Sequence, residues 1–232
     1  MPIIAEAPLP DYIVSDLPGE EKVLGHSIPV NTDRWQKELA LRDLPPLEGK
    51  LSGTGWLSVS RRDVLELGSR EITPENVFQL HYYSYAWGLG NKARNLPKRL
   101  DGIAKDQERA ADLLLSAWTA VRGGEPAEEV YGILTTPRGG ARITWFGPAF
   151  STKFLYFAQG ISTQPHYVIL DETVASNLSD VWEAAPTDSW YPDAYGRYCT
   201  FMSRWADLAT EQLNGERKVR ADEIEYAVFK RR

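Results

Sequence analysis

The sequence predicts an all-α fold, two helical lobes flanking a cleft, with little or no sheet. Three observations point there. Apolar residues recur at helical spacing in the longer segments, as in Ala110, Leu113, Leu114, Ala117 and Trp118. Helix starts carry explicit signals, the strongest being Thr73-Pro74-Glu75: a cap hydroxyl, a proline for the first turn and an acid for the helix dipole. No two alternating runs are joined by a hairpin turn. Val168–Leu170 is the one strand-like run, and a single strand makes no sheet.

Taken in order, residues 1–30 hold Pro2, Pro8, Pro10, Pro18 and Pro29 without a helical period, and read as an extended N-terminal arm. Residues 31–232 read as one helical domain. Asn31, Thr32 or Asp33 caps a helix over 34–41, with Trp35 and Leu39 on its buried face. Residues 47–57 are loop-like. Ser58 or Ser60 starts a short helix that Gly68 closes. The helix from Thr73 runs to Trp87, where Gly88-Leu89-Gly90-Asn91 breaks it. Further helices start near Leu96 and between Asp101 and Lys105, and another spans 127–135. A hairpin occupies 141–160. The segment 182–192 is irregular, a long helix covers about 193–213, and a last one covers 221–229.

The chain has ordinary globular composition, 43% hydrophobic and 25% charged. The single Cys199 excludes an intrachain disulfide, and with three scattered histidines it argues against a structural zinc site. No apolar run reaches membrane-spanning length and no secretory signal is visible, so a cytoplasmic location is expected. A net charge of −6 is the wrong sign for a nucleic-acid binder, although a local basic face can coexist with an acidic back.

The informative stretch is 141–177. Lys153 and Asp171 stand eighteen positions apart, each near a predicted helix start. An amine beside an ionised carboxylate is a nucleophile with an electrostatic partner. Read from residues alone, Lys153 is equally a solvated helix lysine, and Asp171 a plain N-cap before Glu172-Thr173-Val174.

The run Gly147-Pro148-Ala149-Phe150-Ser151-Thr152-Lys153, followed by Ile169-Leu170-Asp171, resembles the helix-hairpin-helix DNA glycosylases, and most closely their 8-oxoguanine glycosylase branch. Proline, threonine, lysine and the distant aspartate match that family's pattern. Ala149 and Ser151 stand where it has glycines, and no four-cysteine cluster follows, which excludes the iron–sulfur branch. The resemblance implies that Lys153 attacks the anomeric carbon of the sugar to form a Schiff base, while Asp171 stabilises the developing oxocarbenium ion or orients the nucleophile. It implies DNA contacts from Gly147, Pro148, Ala149, Ser151 and Thr152 and from Asn91 and Lys92 in the preceding loop. Phe150, Trp190, Tyr195 and Tyr198 would form the base pocket. No metal or cofactor is implied beyond a monovalent cation at the hairpin. The partner would be double-stranded DNA bearing a modified base, bound by a monomer.

The compact bacterial proteins of this fold tilt the expected substrate toward glucosylated hydroxymethylcytosine in phage DNA, an anti-phage role. The alternative is repair of 8-oxoguanine with or without strand cleavage. A second alternative is a DNA-binding protein that keeps the hairpin without the chemistry.

Overall fold

The structure is a computed structural model and describes residues 6–182 and 189–231. The stretch expected to be irregular at 182–192 therefore falls largely outside the described residues, as do residues 1–5 and Arg232. Among the described residues there are twelve α-helices and one two-stranded sheet. No helix is long and apolar enough to cross a membrane.

The predicted punctuation is realised in most places. Asn31 caps α3 (Thr32–Ala40) by accepting from the Arg34 amide. Ser60 and Asp63 form a reciprocal capping box at α4 (Arg61–Gly68). Thr73 caps α5 (Pro74–Leu89), but the break between α6 (Leu96–Ala104) and α7 (Gln107–Gly123) falls at Asp106, past the expected Asp101 or Lys105, because the Asp106 carboxylate caps α7. Then follow α8 (Ala127–Leu134), α9 (Pro148–Ala158), α10 (Glu172–Asn177), α11 (Pro192–Gln212) and α12 (Ala221–Lys230).

Two expectations need correction. The N-terminal segment is not an extended arm. It contains α1 (Asp11–Ser15), α2 (Glu20–Leu24) and β1 (Ser27–Asn31), and it buries Ile13, Val23, Leu24 and Val30. Pro8 and Pro10 precede α1, Pro18 separates α1 from α2, and Pro29 lies in a two-stranded sheet, positions where a missing N–H costs little. A hairpin-like pair does exist: β1 pairs antiparallel with β2 (Trp56–Ser60), Pro29 opposite Ser58. Only one residue of each strand, Val30 and Val59, is fully buried, so little alternation was there to read.

The core is organised on α5 and α9, which pack on each other. From Val77 to Trp87 and from Ser151 to Ala158 every residue is buried, so these helices have no solvent face over those spans. The C-terminal helix α12 is fastened to this core by charge. Arg61 of α4 and Glu225 of α12, each 1% exposed, pair at 2.7 Å, and the Arg61 guanidinium lies over the rings of Trp87, Tyr156 and Tyr226. Tyr156 of α9 donates to Asp222, which also takes both Nε and Nη2 of Arg220.

Candidate active site

Lys153 sits in the second turn of α9, one turn further from the helix start than the sequence suggested. The dipole of its own helix has largely faded there. Its surroundings come from two other elements. Below it, Gly88 of α5 leaves room for the lysine stem: a Cβ at that position would lie 2.8 Å from Lys153 Cδ and 3.0 Å from Phe150 Cε1. Ahead of it, Nζ donates to Asp171 Oδ2 at 2.9 Å, with the two side chains 7% and 19% exposed.

Asp171 does two jobs. Its Oδ1 accepts the Val174 amide and caps α10, while Oδ2 faces Lys153. Burial works to raise the pKa of this carboxyl. The charge and hydrogen bond of Lys153 and the amides of Val174 and Thr173 outweigh it, and the group titrates below the usual carboxylate range. A depressed folded-state pKa contributes stability that is present above the unfolded pKa, about 3.9, and is lost as pH falls through the folded value. Denaturant melts of the wild type and Asp171→Asn should therefore differ by a constant amount from about pH 5 to neutrality, with the gap closing below about pH 4. A gap that grows toward acid would contradict the ion pair.

What holds the two groups in register is the segment before Asp171. Val168–Leu170 is extended but joins no strand, because side chains take its carbonyls. Tyr195 donates to Val168 O at 3.1 Å, Tyr198 to Ile169 O at 2.6 Å and Thr152 to Leu170 O at 2.8 Å. The Leu170 amide returns a bond to Thr152 Oγ1. Thr152 and Leu170 are the immediate neighbours of Lys153 and Asp171, so this exchange locks the pair's spacing.

That observation corrects several site expectations. Tyr195 and Tyr198 are fully buried and their hydroxyls are committed to backbone, so they brace the Asp171 segment and form no base pocket. Trp190 is likewise 0% exposed. Ser151 and Thr152 are fully buried as well, because α9 begins at Pro148 and its second turn faces the core; they offer DNA no surface. Gly147, Pro148, Ala149 and Phe150 remain half-buried at the rim. The carbonyls of Gly147 and Ala149 already accept hydrogen bonds inside α9, and no step is assigned to a hairpin cation. Among the described residues no cluster of His, Cys, Asp and Glu suits a metal ion.

Lys153 and Asp171 open onto one cleft of about 220 Å³. Its apolar walls are Ile28, Trp87, Leu89 and Phe229; its polar groups are His26, Arg61 and Glu225. His26, Arg61 and Glu225 were not among the sequence candidates. His26 lay in the supposed arm, and Arg61 and Glu225 are 164 positions apart. Burial, then the charges of Arg61 and Lys230, lower the His26 pKa to about 4, so the ring is neutral at pH 7, and its Nδ1 has no hydrogen-bond partner among the described residues. The loop expected to reach DNA borders this cleft through Gly90, and Asn91 and Lys92 beside it are exposed. Arg34 fixes the loop by donating to the carbonyls of Lys92 and Ala93.

Gly88→Ala tests the packing beneath the lysine. The added methyl must displace the Lys153 stem or the Phe150 ring, and an ångström of misplacement can cost a reaction about 100-fold. Any reaction that uses Lys153 should slow by about that factor, with the melting temperature reduced only modestly. Unchanged turnover would mean that Lys153 does not need this position.

The helical fold thus sets a buried lysine, one turn into α9, against an ionised carboxylate at a cleft. Residues 21–229 match the family described as "Putative 8-oxoguanine DNA glycosylase OGG-like protein", and the chain belongs to that family. Neither the curated proteins nor the solved structures give a match.

Proposed function

We propose that this protein is a DNA glycosylase that draws a modified base out of duplex DNA into the cleft and breaks its N-glycosidic bond. The observation that carries the reading is the 2.9 Å contact between Lys153 Nζ and Asp171 Oδ2 at the cleft wall. An amine meant only for solubility would not be buried, and a carboxylate meant only as a cap would not need a second partner.

The chemistry follows from the pair. As the bond from C1′ to the base nitrogen breaks, its electron pair leaves with the base. The ionised Asp171 stabilises positive charge at C1′ and O4′. Lys153 Nζ then bonds to C1′, and ring opening gives an iminium ion. Of the three ammonium protons, one goes to the departing base, one to O4′, and one stays on nitrogen. Trp87 and Phe229 supply the aromatic surface against which an extruded base would rest.

The cleft volume bears on the substrate. About 220 Å³ lies below the roughly 300 Å³ at which pockets begin to hold drug-sized ligands. That supports a base without a large appendage, such as 8-oxoguanine, over glucosylated hydroxymethylcytosine, whose hexose would have to pass out through the cleft mouth. The test is mass spectrometry of bases released from duplexes carrying 8-oxoguanine, and from phage DNA carrying the glucosylated cytosine. Release of the free oxidised purine is the expected result. Release only from phage DNA would move the reading to anti-phage defence. No release from any substrate by folded protein would leave a DNA-binding protein without chemistry.

A further inference from the structure

Trp145, two residues before the hairpin glycine, received no role from the sequence, and its conformation is unusual. Its φ is +64°, a left-handed backbone that a bulky residue rarely adopts, and its ring is 44% exposed. The backbone is pinned from both sides while the ring is left outside. Its carbonyl accepts both the Tyr85 hydroxyl at 2.9 Å and Arg99 Nη1 at 2.8 Å. The preceding carbonyl, of Thr144, lies so close to Gly102 of α6 that a Cβ there would come within 1.9 Å of it. The Lys98 ammonium lies over the exposed indole at 5.3 Å. The strip continues inward: the Arg99 guanidinium covers the Phe150 ring at 4.2 Å, and Phe150 lies 5.8 Å from Lys153 Nζ.

Cations dominate the chain segments that build this strip; the acids nearest it are Asp101, which pairs with Arg42, and Asp106. No carboxylate occurs between Glu75 and Asp101 or between Glu129 and Asp171, although the chain carries a net charge of −6. These two acid-free stretches contain α5 and α9, which pack together. Their exposed cations include Lys92, Arg94, Lys98, Arg138 and Arg142.

We propose that Trp145 is a stacking platform for a nucleotide of the DNA strand that leaves the cleft across the hairpin, with Lys98 taking an adjacent phosphate. This rests on the glycosylase reading and adds a contact to it. The two glycines that would let the hairpin backbone approach DNA are replaced here by Ala149 and Ser151. An indole held outward and flanked by cations supplies affinity by stacking and charge in place of close backbone approach.

The decisive variant is Trp145→Gly, because glycine adopts φ +64° without strain, and that relief offsets the entropy it adds to the unfolded chain, so the fold should be retained. Equilibrium binding to a duplex containing a tetrahydrofuran abasic site should weaken about tenfold in Trp145→Gly, and by less in Trp145→Phe. Base release at saturating DNA should not change, so the loss appears in KM and not in kcat. Lys98→Ala should lower the slope of log K against log salt by about 0.9. Trp145→Gly binding within about twofold of wild type, or a lower melting temperature showing that the indole is there for stability, overturns the proposal and leaves the glycosylase reading intact. Failure of the wild type itself to bind DNA would overturn both.

Discussion

Lys153→Ala should abolish borohydride-trapped protein–DNA adducts and slow base release by about 1,000-fold or more. The reason is specific to this environment. Nζ is buried at the cleft wall, its stem is seated over Gly88, and its ammonium is in contact with Asp171. Among the described residues no other lysine lines the cleft, so none of them offers a second amine to form the iminium ion. Lys153→Arg is the useful companion. It keeps a cation against Asp171, preserving the pair's electrostatics and the fold, but it cannot form a Schiff base. Both variants should be trap-negative. Asp171→Asn should still trap weakly while releasing base about 100- to 1,000-fold more slowly, because a neutral amide stabilises a cationic transition state poorly. If base release survives Lys153→Ala but not Asp171→Asn, water is the nucleophile and the lysine route is wrong. If it survives both, the site lies elsewhere.

The second large effect is on stability. Arg61→Ala should cost about 3–5 kcal/mol, because it strands the Glu225 carboxylate in the interior and empties the space among Trp87, Tyr156 and Tyr226. For a chain of this size that is a fall of roughly 10 °C in melting temperature. The double variant Arg61→Met, Glu225→Leu should recover most of the loss, since a buried pair gains little over well-packed apolar groups. Thermal melts of the single and double variants decide it. A fall of less than about 2 °C in Arg61→Ala would mean that the guanidinium reaches solvent. The same pair lines the cleft, so even the stable double variant should bind the extruded base with altered preference.

These two experiments probe features that the sequence revealed to different degrees. The lysine–aspartate pair was readable because its signals are local. Gly147-Pro148 starts one helix, Asp171 caps another, and the spacing between them is short. The same holds for Ser60 and Thr73, whose side chains satisfy amides three residues away. Arg61 and Glu225 carry no such signal, since each looks like an ordinary surface charge on an amphipathic helix until the two helices meet. Tyr195 and Tyr198 were misread for a related reason. Aromatic rings build pockets and cores alike, and what decides between the two is where the hydroxyl finds an acceptor. Here that acceptor is the backbone of an extended segment that has no partner strand.

By itself the sequence determined the helical class, most helix boundaries and the lysine and aspartate on which the proposed chemistry is placed. Each of these follows from interactions within a few residues along the chain. Only the tertiary structure decided that His26, Trp87 and Phe229 share a cleft with Lys153, that Thr152 bonds Leu170 to fix the lysine–carboxylate contact, and that Trp145 is forced outward. Those outcomes depend on which helix faces meet, and that is set by the burial of the whole core, not by any local stretch of it.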